Sequence, residues 1–182
     1  MFNLKKIKFK TILSNDLKLI LRWRNSIFIR SKMLNQKKIS YNEHKSWFKK
    51  LKKDTINKAY MITYDKKKIG VANISQIDNK NKLCTWGYYI ALKNYRYLAL
   101  LVEIKLIDLM FYKFNIRKIW GRTISTNKKI LKIHKILGFK LEGLQKEHIK
   151  VNNYYRNIVL TSLLKNEWKD RKNKILRKLK KI

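Results

Sequence analysis

Proline is absent from the sequence, and cysteine occurs once, at Cys84. A single cysteine excludes an internal disulfide bond and any zinc site that needs several cysteine ligands. The histidines, His44, His134 and His148, are too far apart to show metal-ligand spacing. The sequence therefore predicts no metal site, and we expect the cysteine to be a small, buried, apolar residue.

Long apolar runs are also missing. The first ten residues are charged, and their apolar run is too short for a signal peptide or a membrane span. The apolar stretch that begins at Leu98 is interrupted by Glu103, Lys105 and Asp108, which indicates a core helix. We therefore expect a cytoplasmic protein without a membrane span.

Acidic residues are few: the sequence has 11 of them and 46 lysines and arginines, which gives a formal net charge of +35. Such a surface attracts nucleic acid nonspecifically at low salt. However, the lysines are spread along the whole chain, which is typical of a compositional bias. The sequence offers no recognition helix, RNA-binding aromatic signature or zinc finger. We expect no specific nucleic-acid partner, and a basic nucleic-acid-binding protein stays an alternative.

Apolar residues make up 45% of the 182 residues, which is typical of one packed domain. Strand and helix periodicities follow in the order β-α-α-β-β-β-α-β-α-β-β, so the pattern by itself predicts an α/β fold with a mixed sheet. We assign residues 1–168 to the domain and residues 169–182 to a basic tail, which we expect to be a frayed helix.

Local signals mark several element ends. Ser40 and Glu43 have the spacing of a capping box at a helix start. Gly138 is suited to the position after a helix end. The pair Asn152-Asn153 is suited to positive φ in a tight hairpin turn.

The stretch from Trp86 to Phe111 has an order of elements that suits phosphate binding. A predicted strand, Trp86 to Ala91, leads through a short basic loop into an apolar helix from Leu98. Backbone N–H groups at such a strand–loop–helix junction form a natural diphosphate site. A second strand and a helix from Asn127 follow, and that helix ends at Gly138-Phe139.

This order, with the loop Tyr95-Arg96-Tyr97-Leu98-Ala99 and the later Gly138-Phe139, resembles the acetyl-CoA site of the GNAT N-acetyltransferases. The resemblance implies the GNAT fold, a mixed, mostly antiparallel central sheet flanked by helices. It also implies acetyl-CoA as co-substrate. The family loop has a glycine where this chain has Tyr97, and the family's usual tyrosine is replaced by His134. Because of these two departures together, a degenerate member that binds without turnover stays an alternative.

The resemblance also implies roles for individual residues. The residues expected to bind the cofactor are Ile90, Ala91, Tyr95, Arg96, Tyr97, Leu98, Ala99, Leu100 and Asn127. A backbone N–H on the strand from Trp86 would stabilise the oxyanion. The family's proton donor is usually a tyrosine, and His134 occupies that position. An imidazolium donates a proton near neutral pH more readily than a phenol does, while the alternative is a histidine that only packs beside the groove.

The N-terminal half has a run of residues at a distinctive spacing: Trp23-Arg24-Asn25, Met33, Ile39-Ser40, Glu43-His44 and Trp47-Phe48. This run resembles that of the sugar-nucleotide N-acetyltransferases of pseudaminic acid synthesis, which act on a UDP-linked 4-amino-4,6-dideoxy sugar. This resemblance implies a nucleotide-sugar acceptor, bound by Arg24, Asn25, His44 and Tyr89. The alternatives are a surface ion pair for Arg24, a helix cap or packing contact for His44, and core packing for Tyr89.

The C-terminal half, from Gly138 to Trp168, has a pattern shared with the ribosomal-protein N-terminal acetyltransferases. A protein N-terminus is therefore the alternative acceptor. In either case we expect direct transfer of the acetyl group from acetyl-CoA to an amine, with no covalent enzyme intermediate and no metal. A homodimer is the assembly that we expect.

Overall fold

The computed structural model describes residues 3–151 and 153–179, and these divide into two compact units. The first unit contains Asn3–Ile77 and Trp86–Leu106. The second unit contains Asp78–Thr85 and the chain from Ile107 onward. No helix in the described ranges is long and apolar enough to cross a bilayer.

Seven strands form one sheet in the order β1-β2-β3-β4-β5-β7-β6. The strands are β1 Ile7–Thr11, β2 Lys58–Tyr64, β3 Lys67–Asp78, β4 Leu83–Ile90, β5 Lys118–Ile124, β6 Lys140–Val151 and β7 Tyr154–Leu164. The β1/β2, β2/β3, β5/β7 and β6/β7 pairs are antiparallel, whereas β4 and β5 are parallel. The predicted mixed, mostly antiparallel sheet is confirmed.

Six α-helices accompany the sheet in the described chain. They are α1 Leu17–Asn25, α2 Ile27–Arg30, α3 Tyr41–Lys53, α4 Ala99–Asp108, α5 Lys128–Leu137 and α6 Lys165–Leu179. The predicted helix from Leu98 is in fact composite, because a 3-10 segment, Lys93–Leu98, precedes α4 and a π-helical turn, Leu109–Lys113, follows it.

In the first unit, helices α1 and α3 bury their apolar faces against strands β2 and β3. The buried cluster consists of Ile12, Leu17, Ile20, Trp23, Phe48, Met61 and Val71. The capping box that starts α3 is confirmed: the Glu43 N–H donates to Ser40 Oγ, and the Ser40 N–H donates to Glu43 Oε2 at 2.6 Å. The box fixes where the apolar face of α3 begins.

Strands β3 and β4 approach each other closely at Gly70. A Cβ atom at Gly70 would overlap the Tyr89 carbonyl oxygen and would lie 3.0 Å from Ile90 Cα. Just beyond, the Ala91 N–H donates to the Ile69 carbonyl oxygen at 2.8 Å. The missing side chain at Gly70 therefore sets the position of the C-terminal end of β4.

A buried polar pair joins β4 to α4. The Tyr88 hydroxyl donates to Glu103 Oε2 at 3.0 Å and lies 3.2 Å from the Ala99 carbonyl oxygen. Glu103 is fully buried, and burial, followed by the adjacent carboxylate, raises the pKa of Tyr88. Because an unpaired buried carboxylate is costly, this pair fixes α4 on the strand that precedes it.

In the second unit, Cys84 is buried as predicted, with its Sγ 3.6 Å from Met110 Sδ. Burial raises its pKa to about 12. Gly138 ends α5 with φ of 93°, which confirms the predicted helix end. Asn153 has φ of 64°, as expected for the hairpin turn, and its neighbour Asn152 lies outside the described residues.

The expected frayed tail is not confirmed, because residues 169–179 continue α6. Trp168 is fully buried, and its indole N–H donates to Asp108 Oδ1 at 2.9 Å. Lys172 pairs with the other oxygen of Asp108 at 2.6 Å, and Arg171 donates to the Ile136 carbonyl oxygen at the end of α5. The boundary at residue 168 stays a prediction.

We predict that Gly70→Ala destabilises the protein by about 1–3 kcal/mol, because the added methyl group must push β3 and β4 apart. The matched control is Gly87→Ala, where the new Cβ would meet no atom within 4 Å. Urea unfolding of both variants measures the difference. Equal stability of the two variants would contradict the close approach at Gly70.

We predict that Asp108 anchors α6. Asp108→Ala leaves the buried Trp168 N–H and the Lys172 ammonium without their acceptor, so the free energy of unfolding should fall by about 1–3 kcal/mol. Asp170→Ala makes the same change at an exposed position of α6 and should have little effect. If thermal unfolding shifts equally in both variants, Asp108 does not anchor this helix.

Candidate active site

The predicted cofactor loop lies in the first unit, between β4 and α4. Residues Lys93–Leu98 form its 3-10 helix, and the last of them, Leu98, is fully buried. Tyr97 has a negative φ and a side chain that is 58% exposed. The tyrosine that replaces the family's glycine thus needs no left-handed backbone and does not fill the turn.

Arg96 is held against Phe28, and sequence analysis did not predict this contact. The Arg96 guanidinium carbon lies 3.3 Å from the centre of the Phe28 ring, and Lys32 Nζ lies 3.4 Å from the same centre. Arg96 Nε is buried and has no hydrogen-bond partner among the described residues. A phosphate oxygen would satisfy this nitrogen, so the loop suits the diphosphate of acetyl-CoA.

The remaining loop residues are packed in the first unit. The Tyr95 ring lies 6.0 Å from the Tyr64 ring, with Lys67 Nζ 5.5 Å from its centre. Ile90 is buried, whereas Ala99 and Leu100 are half-buried. Because the Ala91 N–H bonds to Ile69, Ala91 could stabilise an oxyanion only by giving up a sheet hydrogen bond.

Arg24 and Tyr89, two residues predicted to bind the acetyl acceptor, interact electrostatically, and Arg30 also interacts with Arg24. Burial lowers the pKa of Arg24; the Tyr89 hydroxyl opposes this shift and Arg30 adds to it. Burial also raises the pKa of Tyr89. Arg24 donates to the Asn35 carbonyl oxygen at 2.5 Å, and Arg30 donates to the Gln36 carbonyl oxygen at 2.9 Å.

Each of these arginines also has a nitrogen that the described protein does not bond. Arg24 Nη1 and Arg30 Nε are both buried without a hydrogen-bond partner among the described residues. Unbonded buried donors are costly, and two guanidiniums that each keep one unbonded nitrogen are suited to an anion. Sequence analysis missed Arg30, because its contribution depends on how the loop to Gln36 folds back.

The Asn25 side chain is hydrogen-bonded to the backbone of the same chain. Its side-chain amide donates to the Ile39 carbonyl oxygen at 2.8 Å and accepts from the Ile39 N–H at 2.9 Å. This double hydrogen bond ties the two ends of the segment 26–39 together. Asn25 therefore fixes the segment that contains α2 and Arg30.

His44 is buried on α3, with 4% of its surface exposed. Its ring stacks on Trp47 with 5.0 Å between the ring centres. Burial lowers the pKa of His44, and a hydrogen bond with the Leu17 backbone partly opposes this shift. Its Nε2 atom is buried without a partner in the part of the chain that the structure describes.

Asn127 and His134 lie in the second unit. The Asn127 N–H donates to the Ile124 carbonyl oxygen at 2.8 Å, and its own carbonyl accepts from the first turn of α5. His134 is 5% exposed, and its ring centre lies 4.9 Å from that of Phe139. In residues 3–151 and 153–179 no three histidine, cysteine, aspartate or glutamate side chains converge as metal ligands would.

Comparisons with known proteins show the family of this chain. The model of the acetyltransferase (GNAT) domain family matches residues 9–160. The acetyltransferase PseH of Campylobacter jejuni is 27% identical over 126 residues, which are 69% of this chain and 78% of PseH. YdaF of Bacillus subtilis, a candidate ribosomal N-acetyltransferase by name, is 26% identical over 61% of each chain.

Among solved structures, the spermidine N-acetyltransferase of Vibrio cholerae in complex with CoA and spermine has the same fold. Its TM-score is 0.84 at 18% sequence identity, over 90% of this chain and 98% of that one. The family match covers most of the sequence, and the solved structure shares the fold over most of both chains. This chain therefore belongs to the GNAT acetyltransferase family and is an acetyl-CoA-dependent N-acetyltransferase.

Proposed function

We propose that the acetyl acceptor is the amine of a UDP-linked 4-amino-dideoxy sugar. The observation that carries this proposal is the pair Arg24 and Arg30, each with a buried guanidinium nitrogen that lacks a hydrogen-bond partner in the described chain. A diphosphate supplies the acceptor oxygens that both nitrogens need. The resemblance of residues 23–48 to sugar-nucleotide N-acetyltransferases supports the same acceptor.

The charge of the chain favours an anionic acceptor over a polyamine. The formal net charge is +35, which repels a polycation and attracts a nucleotide sugar. The Vibrio cholerae neighbour binds spermine, but its identity of 18% supports the fold alone. A protein N-terminus remains the second candidate acceptor, supported by the resemblance to YdaF.

The transfer that we propose is direct. The neutral amine attacks the thioester carbonyl carbon, the carbon–sulfur bond then breaks, and the thiolate leaves with a proton from His134. In the first unit, Arg96 and the loop to Leu98 hold the diphosphate of acetyl-CoA, while Arg24 and Arg30 hold the acceptor. The amine loses its extra proton to solvent, and His134 takes up a proton from solvent, so the reaction leaves the protein unchanged.

The acceptor is tested by following the release of CoA thiol from acetyl-CoA with three acceptors: the UDP-linked amino sugar, spermidine and a ribosomal-protein N-terminal peptide. We expect turnover with the sugar. Arg24→Gln should raise the KM for the sugar about tenfold or more, because a charged hydrogen bond to phosphate contributes about 1.5–3 kcal/mol.

Arg22→Gln is the matched control, since it removes the same charge from the same helix at an exposed position. Its KM should stay near that of the unchanged protein. Efficient acetylation of spermidine or of the peptide, with no activity on the sugar, would overturn the proposed acceptor. An equal effect of both substitutions would assign the effect to net charge.

His134→Gln should lower kcat about 10²-fold or more, the loss typical of a missing general acid, with little change in the KM values. Lys135→Gln, at the exposed neighbouring position, should leave kcat unchanged. Acetyl-CoA affinity, measured by calorimetry, reports whether the site is still formed in each variant. A kcat that survives in a folded His134→Gln variant would exclude the proton-donor role.

A further inference from the structure

The second unit has an open concavity of about 540 Å³ on the sheet formed by β5, β7 and β6. Trp120 and Arg122 line it, and since they are two residues apart on β5 they share one face. Leu160 of β7 pairs directly with Arg122 and contributes an apolar wall. The concavity thus combines a flat indole, an apolar wall and a cation.

The Arg122 guanidinium is held by two side chains, neither of which carries a negative charge. Its Nη2 donates to Gln145 Oε1 at 3.2 Å and lies 2.7 Å from His148 Nε2. Because a guanidinium can only donate, His148 Nε2 must accept, which places the imidazole proton on Nδ1. The positive charge of Arg122 is therefore oriented but not neutralised by these partners.

An irregularity in β6 builds this arrangement. Gln145 and His148 are three residues apart, so in a regular strand they would face opposite sides of the sheet. The register shifts between Gln145 and Ile149, and Glu147 adopts a left-handed φ of 46°. The Glu147 N–H donates to Asn157 Oδ1 at 2.9 Å, which holds the bulge. Bulges of this kind re-aim side chains and are frequent near functional sites.

The neighbouring charges leave Arg122 as the cation that a ligand would meet. Lys118 pairs with Glu142 at 2.6 Å, and Ser162 also donates to that carboxylate. These hydrogen bonds lower the pKa of Glu142, so the carboxylate stays ionised and offsets Lys118. An anion that enters the concavity is therefore attracted mainly by Arg122.

We propose that this concavity binds a nucleotide, with the base stacked on Trp120 and a phosphate bonded to Arg122. An aromatic face accepts any base, and a guanidinium recognises phosphate oxygens. The concavity also has a volume typical of small-ligand sites. The proposal does not depend on which amine the enzyme acetylates, and its residues belong to a different unit from Arg24 and Arg30.

The test is calorimetric binding of UDP and of ADP to the full chain at physiological ionic strength. Arg122→Gln should weaken binding of UDP about tenfold or more, and Trp120→Leu should weaken it as well. Lys129→Gln, which removes one positive charge from an exposed position of α5, should have no such effect. Circular dichroism verifies that each variant is folded, and Trp120→Phe should retain part of the affinity.

Two outcomes would overturn the proposal. If Arg122→Gln and Lys129→Gln weaken binding equally, the nucleotide is bound by net charge alone. If CoA displaces UDP competitively and Arg122→Gln weakens CoA binding to the same extent, the concavity belongs to the cofactor site and is not a second nucleotide site. Failure to acetylate a UDP-linked amino sugar, with UDP still bound through Arg122, would refute only the proposed acceptor.

Discussion

The close approach of two strand backbones at Gly70 is the constraint on which the first unit depends. Because no side chain separates β3 from β4 there, the Tyr89 carbonyl lies against Gly70 and the Ala91 N–H reaches Ile69. The end of β4 is thereby fixed, and with it the start of the 3-10 segment that leads into α4. The buried Tyr88–Glu103 pair then holds α4 on the same strand.

Three arginines of the first unit have side chains whose hydrogen bonds are incomplete. Arg24 and Arg30 each donate to a loop carbonyl and keep one buried nitrogen unbonded in the described chain. Arg96 lies against the Phe28 ring, and its buried Nε has no hydrogen-bond partner among the described residues. An excess of lysine alone would produce a solvated basic surface. These guanidiniums are instead partly desolvated and fixed in direction, which is a property of anion sites.

The sequence predicted elements whose signals are local. The capping box at Ser40 and Glu43 and the left-handed Gly138 follow from neighbouring residues alone. The family resemblance predicted a mixed, mostly antiparallel sheet, which the structure has. Contacts made at long range were not predictable. The docking of α6 depends on Asp108, some 60 positions before Trp168. The contacts of Arg122 with Gln145 and His148 depend on a bulge in β6. Composition suggested a frayed basic tail, because α6 has few apolar residues on its buried face.

The burial of Cys84 has a practical consequence. This thiol is the only one in the sequence, it lies against Met110 with no exposed surface, and its pKa is raised to about 12. Reagents that modify thiolates therefore find almost no reactive sulfur in the folded protein. A cysteine introduced on the surface would be the single attachment point for a fluorophore or spin label, without prior removal of a native residue.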